Sequence, residues 1–175
     1  TEAARNYAFR LAIERISHVP LDEGFETWQM KRGHELEPQA RLLHEHHAQV
    51  AVDACGFVTT VDGLFGASAD GLVGMDGGAE YKCLVSPERL RDTLVKNDIS
   101  DFMDQVQGGL WITGRAWWDF CIYCPALESV GRDFCRWRVP RNDDYINALE
   151  QDLMAFAAVV HDYETELRKP LPAAF

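Results

Sequence analysis

Ser68-Ala69-Asp70-Gly71 and Glu80-Tyr81-Lys82 are the two segments that decide the fold of this chain. Between them lies Met75-Asp76-Gly77-Gly78, which has the composition of a tight turn because Gly and Asp tolerate a positive φ. We therefore expect Leu72–Met75 and Ala79–Val85 to pair as a β-hairpin.

This hairpin would bring three ionisable side chains together. Asp70 would lie close to Glu80 at one end, and Glu80 and Lys82 would share a face because side chains alternate along a strand. Two carboxylates beside an ammonium group suit a hard cation and a proton-handling step, as in metal-assisted phosphodiester cleavage. Each half also has an ordinary interpretation, since Asp70-Gly71 could be a simple turn and Glu80 and Lys82 a solvated surface pair.

The composition is that of one domain spanning residues 1–175. Hydrophobic residues make up 47% of the 175-residue chain, which is enough for a substantial core. No run is long and apolar enough for a transmembrane helix and no secretory signal pattern is present, so we expect no membrane association. The five cysteines are odd in number and irregularly spaced, which favours a reducing cytoplasm over a disulfide framework.

The net charge of −11 argues against a broad, non-specific coat on DNA. A metal nuclease needs only a local basic surface, because bound cations neutralise the carboxylates of its site. Candidates for that surface are Lys31, Arg32, Arg41, Arg89, Arg91 and Lys96.

Two other groups of potential metal ligands are weaker. Cys121-x-x-Cys124 has no second ligand pair and lies on an alternating segment, so structural zinc is disfavoured. His44, His46 and His47 lie on a predicted helix, where only His44 and His47 share a face. We interpret them as a solvated helix surface.

The remaining pattern predicts a mixed α/β domain in which a central mixed β-sheet is flanked by helices. The predicted helices are Glu2–Ser17, about Phe25 to Val50, one beginning at Ser86-Pro87, about Ser100 to Thr113, and Asn142–Arg168. Pro38 predicts a break in the second helix after Glu37. The further strands are Gly56–Val61 and Leu64–Ser68, joined by an Asp62-Gly63 turn, then Trp117–Cys124 and Phe134–Val139.

Five motifs along residues 28–127 occur in the order and spacing of one nuclease family. They are Gly33…Glu37…Ala40-Arg41, Ser68-x-Asp70-Gly71-Leu72, Glu80-x-Lys82-Cys83, Gln105-Val106-Gln107 and Thr113…Pro125. The chain thus resembles the phage lambda exonuclease family, the YqaJ-type viral recombinases of the restriction-endonuclease-like PD-(D/E)XK fold. Each motif is common alone, whereas five in order are specific.

The resemblance implies a 5′→3′ exonuclease that acts on the ends of double-stranded DNA. Such an enzyme degrades one strand and leaves a 3′ single strand for recombination. The family also implies a ring-shaped homotrimer and a single-strand annealing protein as partner. It implies Mg²⁺ as cofactor, with two ions about 4 Å apart in each site; Mn²⁺ should substitute, Ca²⁺ should bind without turnover, and alkaline pH should favour activity.

The resemblance also assigns roles to individual residues. Asp70 and Glu80 match the metal-binding acids, with the backbone carbonyl of Tyr81 as a further ligand, and Lys82 matches the lysine that orients the attacking water. The remaining matches are Glu37, a helical acid that completes the metal shell through water; Gln105, an amide near the water or the scissile phosphate; and Met30, an apolar wedge where the strands separate. With Met30, the basic residues Arg32 and Arg41 are the candidate DNA-binding residues.

Some features depart from the family pattern. Ala69 and Leu84 stand where prolines are usual, and we expect only small geometric effects from them. An upstream segment that would bind the terminal 5′ phosphate has no counterpart before Glu2, so we expect the N-terminal part of the family domain to be absent from these residues.

Three other interpretations remain open. One is an endonuclease or nickase, which an open substrate groove and a dimer would favour. Another is a non-catalytic DNA-end-binding protein, which the presence of Asp70, Glu80 and Lys82 together disfavours. The last is a structural pair of acid and amine, which would show no dependence on divalent ions.

Overall fold

The computed structural model describes residues 1–22, 24 and 27–170. The helices are α1 (Glu2–Ser17), α2 (Trp28–Ala48), α3 (Pro87–Leu94), α4 (Met103–Thr113) and α5 (Asp143–Leu167), with short 3₁₀ turns at Ser100–Phe102 and Pro125–Val130. The strands are β1 (Phe57–Thr59), β2 (Gly66–Ser68), β3 (Gly71–Val73), β4 (Gly77–Lys82), β5 (Trp117–Tyr123) and β6 (Phe134–Pro140). Every predicted helix and strand is therefore present, most of them shorter than predicted. The predicted first residue of the second helix, Phe25, lies outside the described residues.

The chain divides into two compact units. One contains α1 and most of α5, where Ala8, Ala12 and Val160 form a small buried cluster and Arg15 pairs with Glu164. The other contains the six strands with α2, α3 and α4. No helix among the described residues is long and apolar enough to cross a membrane.

The larger unit is built on a four-stranded mixed sheet in the order β3-β4-β5-β6. The β3–β4 pair forms the predicted antiparallel hairpin, with Gly71 opposite Ala79. Its turn lies earlier than predicted, because Gly74 has the positive φ of +54° whereas Gly77 and Gly78 belong to β4. Strands β4 and β5 run parallel, so the chain between them must cross over the sheet, which it does through α3 and α4. β6 completes the sheet antiparallel to β5, and β1 and β2 form a separate hairpin.

The alternation of side chains gives the sheet two different faces. On one face, Trp118, Phe120 and Ile122 of β5 pack with Val106 and Leu110 of α4. On the other, Ala79 and Tyr81 of β4 and Cys121 of β5 pack with Ala40 of α2. The indole of Trp118 lies so close to β4 that a Cβ on Gly78 would come within 2.3 Å of it, which explains the glycine there.

The predicted break in the second helix is wrong, because α2 runs unbroken from Trp28 to Ala48 with Pro38 inside it. A proline removes the hydrogen bond to the carbonyl four residues earlier, here that of His34. His34 is exposed, so water can bond that carbonyl. Buried Ala40 and His44 on the following turns hold the rest of the helix against the sheet.

Helix starts are fixed by the capping residues that the sequence offers. The Thr27 hydroxyl accepts the amide of Met30 at 3.1 Å and begins α2. The Ser86 hydroxyl accepts the amide of Arg89 at the start of α3, with Pro87 as the first helical residue, as predicted. Residues at both helix starts, Gln29 of α2 and Ser86 before α3, line the same groove.

Candidate active site

A groove of about 890 Å³ opens between the first half of α2, the end of β4 and the start of α3. It is lined by seven of the nine predicted site residues: Met30, Glu37, Asp70, Glu80, Tyr81, Lys82 and Gln105. Predicted site residues from α2, from the β3–β4 region and from α4 therefore lie together in one groove.

Glu80 is the centre of this arrangement. It is only 4% exposed, and its Oε1 accepts two hydrogen bonds of 2.6 Å, from Nζ of Lys82 and from Nε2 of Gln105. The interpretation of Glu80 and Lys82 as a solvated surface pair is therefore wrong. Burial, followed by repulsion from Asp70, raises the pKa of Glu80 to about 7, and the Lys82 ammonium offsets only part of this.

Asp70 lies at the entry to β3, directly beside β4. Its Oδ2 accepts the backbone amide of Tyr81 at 2.7 Å, and its own backbone carbonyl accepts Nη2 of Arg41 at 2.6 Å. Burial raises the pKa of Asp70 by more than the Tyr81 amide hydrogen bond lowers it, and the negative charge of Glu37 raises it further. Both carboxyls of the site thus have a pKa above the ordinary value for their residue type.

Glu37 faces the groove from α2, but its Oε1 is held by Arg41 at 3.3 Å. Among residues 1–22, 24 and 27–170, no three His, Cys, Asp or Glu side chains lie close enough to ligate one ion. Glu37 is therefore placed near the two acids without joining them directly, and its role through a bridging water stays a prediction.

The donor set fits a hard divalent cation. Asp70 and Glu80 offer carboxylate oxygens, and their pKa values are raised first by burial and then by repulsion from neighbouring carboxylates, which a bound cation would offset. Mg²⁺ prefers oxygen ligands and retains several waters, so two carboxylates and the carbonyl of Tyr81 would suffice.

The two predicted residues that do not line the groove bind backbone carbonyls. Nη1 of Arg32 donates to the carbonyl of Cys83 at 3.2 Å, and Arg41 donates to that of Asp70. Both arginines thus support the strand ends that carry the acids. Met30 is half exposed at the groove, as a residue that touches a substrate would be.

The prediction that His44 is part of a solvated helix surface is wrong, because His44 is fully buried. Its ring lies between the hydroxyl of Tyr81, 2.9 Å from Nδ1, and the carboxylate of Asp119, 3.0 Å from Nε2. Asp119 is itself fully buried on β5 and binds both Arg136 and Arg138. The available signals were Asp119 inside an otherwise apolar strand and His44 one turn after Ala40.

Together, a mixed sheet with a β3–β4 hairpin that carries Asp70, Glu80 and Lys82 defines a protein of the PD-(D/E)XK nuclease fold class. The sequence pattern of the YqaJ-like viral recombinase domain matches residues 3–116, most of the chain. The chain therefore belongs to the YqaJ-like viral recombinase family.

Solved structures agree with this assignment. The alkaline exonuclease LHK-Exo from Laribacter hongkongensis is 30% identical, with a TM-score of 0.82 over 94% of this chain and 82% of that one. LHK-Exo in complex with dAMP gives a TM-score of 0.83 at 30% identity, over 94% of this chain and 83% of that one. A phage-related exonuclease from Haemophilus somnus 129PT shares the fold at 16% identity, with a TM-score of 0.71 over 95% and 83% of the two chains. No curated protein sequence matches this chain.

Proposed function

We propose that this protein is a Mg²⁺-dependent 5′→3′ exonuclease that degrades one strand of linear double-stranded DNA and leaves a 3′ single strand. The carrying observation is the convergence of Asp70, Glu80 and Lys82 in one groove, with Gln105 hydrogen-bonded to the same oxygen as Lys82. The likeness to an alkaline exonuclease at 30% identity over nearly the whole chain supports the proposal.

In the proposed reaction, a water oxygen attacks the phosphorus and the bond between phosphorus and the 3′ oxygen breaks. The products are a 5′-mononucleotide and a shortened strand with a new 5′ phosphate. LHK-Exo has been solved with dAMP, which is a product of this kind. That observation favours cleavage of the bond between phosphorus and the 3′ oxygen.

Each of the groove residues has a separate role in the proposed reaction. Asp70 and Glu80 would hold Mg²⁺, which when bound supplies positive charge at the phosphate and lowers the pKa of a water. Lys82 is placed by Glu80 at 2.6 Å, where its ammonium can orient the attacking water. Gln105 would position the water or a phosphate oxygen with the amide hydrogen that is not donated to Glu80.

The partners and the cellular setting belong to the same proposal. We propose a homotrimeric ring and a single-strand annealing protein that receives the 3′ strand, both on the family resemblance. The five cysteines are free thiols, which is compatible with the proposed cytoplasmic location.

The test uses linear duplex DNA that carries a 5′ phosphate and is labelled at either its 5′ or its 3′ end. In Mg²⁺, early release of the 5′ label with covalently closed circles intact would support the proposal. Cleavage of closed circles would replace it with an endonuclease. Binding of DNA ends without any cleavage would replace it with an end-binding role.

A matched pair of variants separates the site from the rest of the surface. Lys82→Gln removes the ammonium beside Glu80, whereas Lys169→Gln removes the exposed ammonium beside Glu166. We expect the first variant to lose at least 100-fold in rate and the second to match the parent protein, because only Lys82 faces the groove.

A further inference from the structure

Directly behind the proposed metal site, on the opposite face of the sheet, lies a chain of buried polar side chains. His44 is fully buried and has a partner at each ring nitrogen. An ionised carboxylate can only accept hydrogen bonds, so Nε2 of His44 donates to Asp119. In the neutral ring, Nδ1 is then left to accept the hydroxyl proton of Tyr81.

One end of this chain is held firmly. The Asp119 carboxylate accepts hydrogen bonds from Nη1 of Arg136 and from Nε and Nη2 of Arg138, all between 2.9 and 3.1 Å. The guanidinium of Arg138 also stacks 3.7 Å above the ring of Trp117. Asp119 is thus fixed by two arginines of β6, one of which is itself held against β5 by Trp117.

The other end of the chain is the strand of the site. Tyr81 stands between Glu80 and Lys82, so its side chain leaves β4 on the face opposite to theirs. Its backbone amide donates to Oδ2 of Asp70 at 2.7 Å, and its carbonyl is the expected third metal ligand. A displacement of the Tyr81 phenol would therefore move all three expected oxygen ligands relative to one another.

We propose that His44 is a positioning residue, which holds Tyr81 through its hydroxyl and thereby sets the spacing of the metal ligands Asp70, Glu80 and the Tyr81 carbonyl. This inference rests on the proposed metal-dependent function. His44 touches neither substrate nor metal; it acts through Tyr81 from the reverse face of the sheet. Ligand-orienting partners of this kind contribute strongly to metal affinity.

A purely structural role would predict something different. Buried polar networks contribute little more to stability than apolar residues of the same volume, but they specify a single arrangement. A structural network would change the free energy of unfolding and leave metal affinity in the folded protein unchanged. A positioning network would weaken metal binding even where folding is intact.

The most direct variant, His44→Ala, leaves Asp119 and Tyr81 without a partner in the core and is prone to unfold. Tyr81→Phe is the sharper test, because it removes only the hydroxyl that His44 accepts and keeps the ring in place. Tyr123→Phe is the matched control, because it removes a hydroxyl from the neighbouring strand outside this network.

The measurement is calorimetric titration of the folded proteins with Mn²⁺ and, separately, with Ca²⁺, in the absence of DNA. We expect Tyr81→Phe to bind about tenfold more weakly than the parent protein, at the low end for partners of metal ligands. Tyr123→Phe should match the parent. In cleavage assays, the Mg²⁺ concentration for half-maximal rate should rise for Tyr81→Phe, while KM for DNA measured at saturating Mg²⁺ stays constant.

The possible outcomes distinguish the proposed metal-dependent function from the proposed positioning role of His44. If the parent protein binds neither ion, the proposed metal-dependent function fails and the positioning role fails with it. If the parent binds metal and Tyr81→Phe, folded, binds it equally well, only the positioning role is overturned. Equal weakening in Tyr81→Phe and Tyr123→Phe would also overturn it, because the effect would then not pass through His44.

Discussion

Glu80→Gln should abolish cleavage and yet make the metal-free protein more stable at alkaline pH. Glu80 is buried, and both of its hydrogen bonds arrive at Oε1, from Lys82 and Gln105. A glutamine carbonyl in the same place can accept both, so the amide imitates the protonated acid. The substitution removes a buried negative charge, and the loss of water around that charge destabilises the folded parent protein.

The magnitude follows from the pKa of Glu80, which lies at about 7 in the folded protein against 4.5 as its ordinary value. Because the pKa is raised on folding, the native state binds the proton more tightly, and stability falls as pH rises from about 4.5 to 7. A difference of that size corresponds to about 3 kcal/mol. Glu80→Gln escapes this loss, so it should match the parent near pH 4 and exceed it by about 3 kcal/mol at pH 8.

The assay is urea denaturation of both proteins in chelator between pH 4 and pH 8, with Glu35→Gln as a control on the exposed face of α2. Addition of Mg²⁺ should then stabilise the parent and leave Glu80→Gln unchanged, since only the parent keeps both carboxylates. A Glu80→Gln protein that is less stable than the parent at pH 8 in chelator would contradict this prediction. So would a gain of the same size in Glu35→Gln.

Three further substitutions test other parts of the structure. Arg41→Gln should lower kcat about tenfold with KM for DNA unchanged, because Arg41 holds the backbone carbonyl of Asp70; a rise in KM alone would instead support its predicted role in DNA binding. Gly78→Ala should lower the free energy of unfolding by about 2 kcal/mol, because its Cβ would lie 2.3 Å from an indole carbon, whereas Gly56→Ala has open space and should be neutral in the same denaturation assay. Asp119→Asn should lower the free energy of unfolding by about 2 kcal/mol at neutral pH, because it weakens the charge-assisted hydrogen bonds from Arg136 and Arg138. Burial alone would raise the pKa of Asp119, but His44, Arg138 and Arg136 hold it well below its usual range, so the parent's advantage should vanish as pH is lowered below about 4, as followed by acid denaturation.

The hairpin and the shared face of Glu80 and Lys82 could be predicted because both depend on neighbours in sequence. The glycine-rich segment between the two motifs predicted a hairpin, although the turn itself is at Gly74, and alternation along a strand then fixes which side chains share a face. The same local logic gave the start of α3 from Ser86-Pro87. It could not tell that Glu80 is buried, because its surroundings include residues distant in sequence, such as Gln105 of α4, which is 25 residues away.

The polar network on the reverse face could not be predicted for the same reason. His44 and Asp119 are 75 residues apart, on a helix and a strand whose pairing depends on the whole sheet. A histidine in a helix rich in charged residues has the local surroundings of a surface group. The predicted helix break at Pro38 was wrong for a different reason. Proline does disfavour a helix interior, but the contacts of α2 with the sheet stabilise the helix by more than one missing hydrogen bond destabilises it.

The charge of the groove ties substrate binding to the same ions as bond cleavage. Of the side chains that the structure describes, six carboxylates but just two cations, Lys82 and Arg89, line it. The nearby Arg32 and Arg41 donate to the backbone carbonyls of Cys83 and Asp70 rather than into the groove. A phosphodiester that enters the metal-free groove therefore meets net negative charge at short range, where salt screens it poorly. On the proposed function, divalent ions held by the two buried acids are needed for the DNA end to approach the site at all, which is how an acidic protein can act on an acidic substrate.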